Sequence, residues 1–468
     1  MQREVTSGQT AAEVTTRRAA LYATTLTSFL TPFMDSGANV ALPEISRQFG
    51  MDAVVLSWVR MGYLLAAAIF LVPFGKLADI HGRKRVYAYG TVIFTLAALT
   101  TGLSTSTTMF LGARVLQGLG SAMIFGTGVA ILTSAYPPSD RGRVLGINVA
   151  AVYLAASLGP SIGGVLTAHF GWRSIFAVSV ALGTVALWFI STRLRGEWAE
   201  ARDERFDLPG SLIYAVSLVA LMLGISRLPG VTAAGLAAAG VVGLGVFAGW
   251  EMRARVPVLD IRLLGSNRTF AFSNLAALIN YAATAAIAFL LSLYLRYIKG
   301  LDAQTAGLVL IAQPVVQAIF SPLAGRLSDR IEPRIVASAG MSLTALGLVL
   351  LVLISPTTPL WAIILRLGLL GFGFALFSSP NMNGIMGAVD KRLYGVASAM
   401  LATMRLMGQM LSQAIATLLF ALYIGRVEIA PQNYPQFMAA AKTAFAIFAV
   451  LCGFGILASM ARGRIRQA

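Results

Sequence analysis

The sequence is poor in charged residues, cysteine and histidine, and each shortage excludes a class of protein. Only 12% of the 468 residues are charged, and the chain has one cysteine and two histidines. A single cysteine, Cys452, cannot form an internal disulfide, and two histidines give no basis for a metal or haem cluster. No Gly-x-x-x-x-Gly-Lys-Ser/Thr phosphate-binding loop occurs either. We therefore expect no cofactor, no metal and no ATP-driven step.

Apolar residues dominate what is present. They make up 57% of the chain and recur in runs of about 20 residues, the length that crosses the hydrocarbon of a bilayer. The net charge of +17 would suggest nucleic acid in a soluble protein. Here the basic residues collect in alternate loops between apolar runs, as expected of cytoplasmic loops. The sequence predicts a multi-pass protein of the cytoplasmic (inner) membrane with no nucleic-acid partner.

The apolar runs predict an all-α integral membrane protein with fourteen spans. An even number places both termini on one side, and most Lys and Arg residues fall in the loops on that side, so both termini are expected in the cytoplasm. The predicted spans are 19–42, 53–75, 86–104, 108–135, 144–168, 173–192, 208–226, 233–250, 269–293, 304–325, 335–354, 359–389, 393–420 and 438–460.

The chain also contains an internal duplication. The segment Gly75-Lys-Leu-Ala-Asp79-Ile-His-Gly82-Arg83-Lys84-Arg85 has a thinner copy, Gly325-Arg-Leu-Ser-Asp329-Arg330. The two copies begin 250 residues apart, at Gly75 and Gly325. This separation leaves room for six spans in each repeat and a surplus pair of spans between them. The predicted organisation is an N-terminal tail (1–18), a six-helix bundle (19–197), an inserted two-helix hairpin with charged flanks (198–267), a second six-helix bundle (268–460) and a C-terminal tail (461–468).

Both copies resemble a loop signature of the major facilitator superfamily, although Ile80 stands where that family usually has a base. The resemblance implies that they act as a conformational latch that closes the cytoplasmic side of a transport path. The predicted latch residues are Gly75, Asp79, Gly82, Arg83, Lys84, Arg85, Gly325, Asp329 and Arg330.

Two further motifs resemble the same superfamily. Arg114-Val-Leu-Gln117-Gly places a guanidinium within a span, where it must be paired or hydrated. It resembles a fourth-helix signature whose arginine is associated with proton coupling; the alternative is that Arg114 only bonds carbonyls. The second motif, Gly159-Pro160-Ser-Ile-Gly163-Gly164, resembles the antiporter signature, with Ala155 in place of its first glycine. A purely structural kink is its alternative.

Asp35 is the one carboxylate predicted well inside a span. An isolated acid in that position prefers to be protonated, which is the property that a proton carrier needs. Counting along the helices places Asp35 and Arg114 at one depth. The sequence predicts that these two residues couple transport to protons, or that they form a static pair.

The remaining embedded polar groups are candidates for a substrate cavity. Three further arginines, Arg60, Arg366 and Arg405, lie in spans, and an unpaired guanidinium there would receive an anionic group. The stretch Ser378–Gly384 is expected to interrupt its helix. The predicted cavity residues are Arg60, Gln117, Asn148, Tyr153, Asn280, Tyr281, Gln313, Gln317, Asn381, Met404 and Arg405.

The resemblance covers nearly the whole chain and implies the fourteen-helix drug/proton antiporter branch, of multidrug efflux type. It implies a monomeric, proton-coupled antiporter that exports amphipathic small molecules by alternating access. An exporter of a dedicated anionic or lipid-like substrate is the alternative. An enzyme is not expected, since no nucleophile with a base occurs at membrane depth.

Overall fold

The computed structural model describes most of the chain. It describes the backbone of 2–199, 204–228, 230–259, 261–389 and 394–463; within these ranges, the side chains of 2–13, 138–143, 145–146, 149, 153, 329 and 394–395 lie outside the description.

All regular structure in the described part is helical. The first half of the chain contains α1 (Gln2–Phe49), α2 (Ala53–His81), α3 (Arg83–Gly102), α4 (Thr107–Ala135), α5 (Pro138–Phe170) and α6 (Arg173–Thr192). Two further helices follow, α7 (Leu208–Ser226) and α8 (Val231–Arg253). After a short α9 (Arg262–Ser266), the second half contains α10 (Arg268–Thr284), α11 (Ile287–Leu293), α12 (Ala303–Leu310), α13 (Ala312–Arg330), α14 (Pro333–Val352), α15 (Leu360–Gly387), α16 (Tyr394–Tyr423) and α17 (Tyr434–Ala461).

Twelve helical segments of the described chain are long and apolar enough to cross a membrane. Helices α1 and α3 coincide with predicted spans but are not among the twelve. Threonine and serine are frequent along α1, and α3 begins with three basic residues, so both are less apolar than their neighbours. The prediction of an all-helical membrane protein is confirmed, whereas the count of fourteen spans stays a prediction.

Small residues set the spacing of the helices in the first bundle. Gly90 of α3 and Gly120 of α4 face each other so closely that a Cβ on Gly120 would lie 2.7 Å from the backbone nitrogen of Phe94. A Cβ on Gly163 of α5 would lie 2.6 Å from the Cα of Gly37 in α1. Such contacts bring backbones together where no hydrophobic effect drives association between helices in lipid.

Helices α7 and α8 pair with each other between the two halves. Their contact is again built on glycine, since a Cβ on Gly240 would lie 2.6 Å from the Cα of Leu221. Tyr214 of α7 donates to the carbonyl of Ala68 in α2 at 3.3 Å. At the end of α8, the fully buried Glu251 accepts from the backbone nitrogen of Leu259 at 3.0 Å. The hairpin therefore packs directly on the first bundle.

One prediction about continuity was wrong, the interruption of a helix at Ser378–Gly384. Helix α1 begins at Gln2 and so includes most of the segment 1–18, whose assignment as a cytoplasmic tail stays a prediction. Helix α15 continues through Pro380: Asn381 and Asn383 bond to neighbouring helices, and a proline is tolerated in a membrane helix that has such neighbours. The ninth predicted span lies within one of the twelve, Arg268–Ile298, and its helix is interrupted at Ala285 and Ala286, between α10 and α11.

We call the end of the bundles that carries Gly82 the latch end, and the opposite end the far end. Polar contacts between the two bundles concentrate towards the far end. Glu44 pairs with Arg296, the Ala53 nitrogen donates to the Val427 carbonyl at 3.0 Å, and Ser292 donates to the Asn39 carbonyl at 2.8 Å. The structure is thus closed at the far end.

Candidate functional site

Asp35 lies between two arginines of the first bundle. Its Oδ1 is 3.3 Å from Nη2 of Arg114 on α4, and its Oδ2 is 3.5 Å from Nε of Arg60 on α2. The Asp35 side chain keeps 17% of its surface exposed, against 1% for Arg114. The two groups expected at one depth are therefore in contact, and the acid is the more accessible of them.

Arg114 is held in place from three directions. Its Nε donates to the Val59 carbonyl at 3.1 Å, and its Nη1 donates to Oε1 of Gln117 at 2.8 Å. The guanidinium carbon lies 4.6 Å from the centre of the Tyr63 ring, a cation–π distance. Gln117 in turn lies 3.1 Å from the Met34 sulfur. Such partners are what a buried guanidinium requires, and they fix its position.

Arg60 connects this cluster to the second bundle. Its Nη1 donates to the Ala285 carbonyl at 2.6 Å, at the break between α10 and α11. The adjacent backbone nitrogen of Ala286 donates to Oγ of Ser412 on α16 at 3.0 Å. A helix break in the membrane leaves backbone groups that must find partners within the protein. Here one partner is an arginine from the opposite bundle.

The cluster holds one acid and two bases. Arginine stays protonated in proteins, so Asp35 is the member whose charge a proton can remove. With Asp35 ionised, the three groups carry one net positive charge; with Asp35 neutral, they carry two. The net charge at the contact between the bundles therefore depends on the charge of Asp35.

The residues of the first predicted latch form a network around Gly82, which joins α2 to α3 with a φ of 117°. Nε of Arg83 donates to Oδ1 of Asp79 at 2.7 Å, and its Nη1 donates to Oγ of Ser134 on α4 at 2.6 Å. Glu197, which follows α6, accepts from the backbone nitrogen of Lys84 at 2.8 Å. Arg85 is 3.6 Å from the same carboxylate, and Gly75 packs near Gly126 of α4. The latch thus fastens the α2–α3 turn to α4 and to the segment after α6.

Replacing Glu197 should weaken this latch. Glu197→Gln retains an acceptor for Lys84 and should transport at near wild-type rates, because the exposed pair with Arg85 is worth little. Glu197→Ala leaves a backbone donor without its partner and should slow transport severalfold. Initial rates in proteoliposomes, normalised to folded protein, measure the difference. Equal transport rates for the two variants would show that the bond from Lys84 to Glu197 does not contribute to the function of the latch.

The described contacts of the second predicted latch involve Ser328 and Asn383. Ser328 donates to the Gly325 carbonyl at 2.7 Å, and Asn383 of α15 donates to Oγ of Ser328 at 2.7 Å. Arg330 is exposed, and the side chain of Asp329 lies outside the described residues. The described latch contacts of this repeat are therefore made by serine and asparagine.

The glycine-proline motif of α5 faces two helices. Gly159 and Gly163 pack on α1 within the first bundle, at Ser36 and Gly37. Pro160 and Gly164 lie against α12 of the second bundle: a Cβ on Gly307 would overlap the Pro160 carbonyl oxygen, and one on Gly164 would overlap the carbonyl oxygen of Ala303. The motif therefore sets the spacing between the bundles at the far end, and not only within one of them.

The remaining predicted cavity residues do not form one group. Asn148 donates to Oγ of Ser28 at 2.9 Å within the first bundle, and the Tyr153 side chain lies outside the described residues. In the second bundle, the Arg405 guanidinium lies 5.4 Å from the Tyr281 ring, which in turn contacts Phe374.

Other polar candidates of the second bundle are buried in different ways. Asn381 accepts from Arg462 at 3.0 Å and donates to the Ser273 carbonyl at 3.2 Å. Among described groups, the Asn280 amide and Nε2 of Gln317 have no hydrogen-bond partner. The Gln313 carbonyl lies against Gly371, and Met404 packs in an apolar cluster with α2 and α7. Arg366 is half-buried, and its Nη1 has no hydrogen-bond partner in the described part of the chain.

Sequence reasoning missed several residues of the site. Glu44 and Arg296 lie near helix ends, where a charge is unremarkable, so neither indicated an ion pair between bundles. Ser412 and Glu197 act on backbone groups that only the fold brings near. Arg462 was assigned to the C-terminal tail, yet it is fully buried at the end of α17. Within the described residues, no group of three His, Cys, Asp or Glu side chains could hold a metal ion.

Comparison with known proteins identifies the family of this chain. The sequence matches the Major Facilitator Superfamily over residues 24–271 and 274–466. The chain belongs to this superfamily. It is 32% identical to the multidrug resistance protein Stp of Mycobacterium tuberculosis (strain CDC 1551 / Oshkosh), over 81% of this chain and 71% of that protein. It is 28% identical to the riboflavin transporter RibZ of Clostridioides difficile (strain 630), over 92% and 94% of the two chains.

Solved structures support the same fold. A bacterial homologue of the human lysosomal transporter Spinster, in an inward-facing and unoccupied conformation, aligns with a TM-score of 0.69. The sequences are 16% identical, and the alignment covers 95% of this chain and 97% of that one. The chain is therefore a major facilitator transporter, and its relatives include members of the drug efflux type.

Proposed function

We propose that this protein is a proton-coupled antiporter that exports amphipathic small molecules by alternating access. In this proposal the latch end and both termini face the cytoplasm, and the far end faces outward across the cytoplasmic membrane. The protein works as a monomer and is not an enzyme. Six-helix bundles on either side of a central path, joined by the α7–α8 hairpin, rock against each other during the cycle.

The observation that carries the proposal is the position of Asp35. It is partly exposed, it pairs with Arg114 and Arg60, and it lies next to the contact between bundles. A proton on Asp35 changes the charge at that contact, so the proton and the conformation of the bundles affect each other. Export is favoured over import by the α5 glycine-proline motif and by the drug-resistance name of one relative.

Antiport requires that proton and substrate exclude each other. In the proposed cycle, substrate enters from the latch end when Asp35 is ionised and leaves at the far end. Asp35 then takes a proton from outside and the emptied carrier returns. Since binding is reciprocal, a substrate that lowers the affinity of Asp35 for a proton is itself released when the proton binds.

A dedicated anionic or lipid-like substrate is the second candidate. The observation that favours it is the excess of guanidinium groups: Arg60 and Arg114 share one acid, while Arg405 lies over the Tyr281 ring. A positive site repels cationic compounds and attracts anions. The name of the riboflavin transporter relative also points to a dedicated substrate.

A substrate panel in proteoliposomes tests the proposal and separates its two forms. Cationic, neutral and anionic amphiphiles are added to liposomes that contain a pH-sensitive dye and the purified protein. We expect substrate-driven proton movement with at least one class, and the responding class identifies the substrate. Transport of a substrate without any proton movement would contradict antiport.

A further inference from the structure

Arg60 is shared between the two bundles. Its Nη1 donates to the Ala285 carbonyl of the second bundle at 2.6 Å, a short hydrogen bond. Its Nε faces Asp35 of the first bundle at 3.5 Å, and this nitrogen has no hydrogen-bond partner among the described groups. In this far-end-closed structure, the guanidinium thus bonds the opposite bundle closely and its own acid only loosely.

We propose that Arg60 is a positioning residue that links the charge of Asp35 to closure of the far end. When Asp35 is protonated, Arg60 holds the Ala285 carbonyl and the far end stays closed. When Asp35 is ionised, it draws Arg60 back into the first bundle, the bond to Ala285 is lost and the far end opens. This inference rests on the proposed role of Asp35 as the proton carrier.

The direction of the effect follows from the freedom of the two arginines. Arg114 is fixed by the Val59 carbonyl, Gln117 and the Tyr63 ring. A proton on Asp35 leaves two guanidinium groups facing each other as like charges, and the one that can turn away is Arg60. The acceptor on its other side is the Ala285 carbonyl. Protonation therefore strengthens the contact between the bundles.

The ionisable surroundings of Asp35 are few. Arg60 and Tyr63 face it from α2, and Arg114 faces it from α4. Helices α5, α6, α11 and α12 and the helical turn Tyr294–Ile298 also pack on α1. In the described part of the chain they place no further ionisable side chain within ion-pair distance of Asp35, and Arg296 of that turn pairs with Glu44. The charge that Arg60 responds to is therefore that of Asp35.

The helix break gives this contact its specificity. Ala285 and Ala286 expose one carbonyl and one N–H between α10 and α11. The N–H is taken by Ser412 of the same bundle, and only the carbonyl is taken by a side chain of the opposite bundle. Loss of the Arg60 side chain therefore keeps the bond from the Ala286 nitrogen to Ser412 within the second bundle. It removes the bond to the Ala285 carbonyl, which joins the two bundles.

The Glu44 and Arg296 pair provides a matched control. It also joins the two bundles at the far end, from α1 to the turn after α11, but it makes no described contact with Asp35. Glu44→Gln should increase the open population of the far end and keep its dependence on pH, because Asp35 and Arg60 are unchanged. Arg60→Gln should open it and also remove its dependence on pH.

The test is a distance measurement across the far end. Spin labels are placed on the exposed positions Thr105 and Gln432, by Thr105→Cys and Gln432→Cys in a Cys452→Ala background. Distance distributions are recorded by double electron–electron resonance in nanodiscs from pH 5 to pH 8.5. We expect the wild type to be mostly closed at low pH, with a growing open population as pH rises.

The variants separate the possible results. Asp35→Asn should stay closed throughout, Arg60→Gln should be open at every pH, and Arg60→Lys, which keeps the charge, should restore part of the pH response. Melting temperatures establish that each variant is folded. A wild-type pH response retained in Arg60→Gln would overturn the role of Arg60 alone. A wild-type distribution that is constant with pH would instead overturn the role of Asp35, and the link with it.

Discussion

Asp35→Asn is expected to reduce substrate accumulation driven by a pH gradient to the level of protein-free liposomes. Asparagine keeps the size of the side chain and can still accept from Arg114, but it cannot take up or release a proton. The variant should exchange little labelled for unlabelled substrate, because its far end stays closed, but it should still bind saturating substrate from the latch end. The combination of lost accumulation and retained binding is the result that a coupling acid predicts.

Asp302→Asn is the matched control for this experiment. Asp302 is an exposed acid that caps α12 by accepting from the Thr305 nitrogen at 2.6 Å. Asparagine is an equally good helix cap, so folding should not change. We expect wild-type accumulation from this variant. Accumulation by Asp35→Asn at the rate of Asp302→Asn would make Asp35 a static partner of the arginines.

Gly307→Ala is expected to slow transport strongly while the protein remains folded. The added methyl group would overlap the Pro160 carbonyl oxygen where α12 meets α5, a contact between bundles. Overpacking of this kind costs about 1–3 kcal/mol. Because α5 and α12 meet in this way only when the far end is closed, this cost destabilises the closed state alone. It shifts the equilibrium between the closed and open states towards the open state by about 5- to 150-fold. Transport should fall by a similar factor, and labelling of a cysteine at the far end should increase.

Two other glycines separate this effect from general damage. Gly112 of α4 has no atom within 4 Å of an added Cβ, so Gly112→Ala should behave as wild type. Gly163 packs on Gly37 inside the first bundle, a contact that is present whether the far end is open or closed. Gly163→Ala should therefore lower the melting temperature without favouring either state of the far end. If Gly307→Ala transported normally, the far end would not depend on the close approach of α5 and α12.

The helical membrane fold could be predicted because each run of apolar residues carries its own signal. The contact of Asp35 with Arg114 could be anticipated for a similar reason, since both residues are costly in lipid and lie at a similar depth. Arg60 was predicted only as a cavity residue. Its bond to Ala285 depends on a helix break that has no proline or glycine to mark it.

Two other differences between the sequence predictions and the structure also arise from contacts between helices that are distant in the chain. Pro380 indicated an interrupted helix, but its neighbours Asn381 and Asn383 are satisfied by adjacent helices and α15 continues. The role of Pro160 and Gly164 at α12 could not be separated from a kink in α5, because the sequence does not say which helix faces them. Contacts between bundles are contacts between distant parts of the chain, and local patterns carry little information about them.

The account depends most directly on one proton being exchanged against substrate at Asp35. Purified protein in a weakly buffered detergent solution, near the midpoint of its pH response, is mixed with a saturating substrate, and the released protons are counted with an indicator dye. We predict release of up to about half a proton per protein molecule from the wild type, since half of the molecules are protonated at the midpoint, and none from Asp35→Asn, although both bind the substrate. Equal proton release by the two proteins would contradict the account.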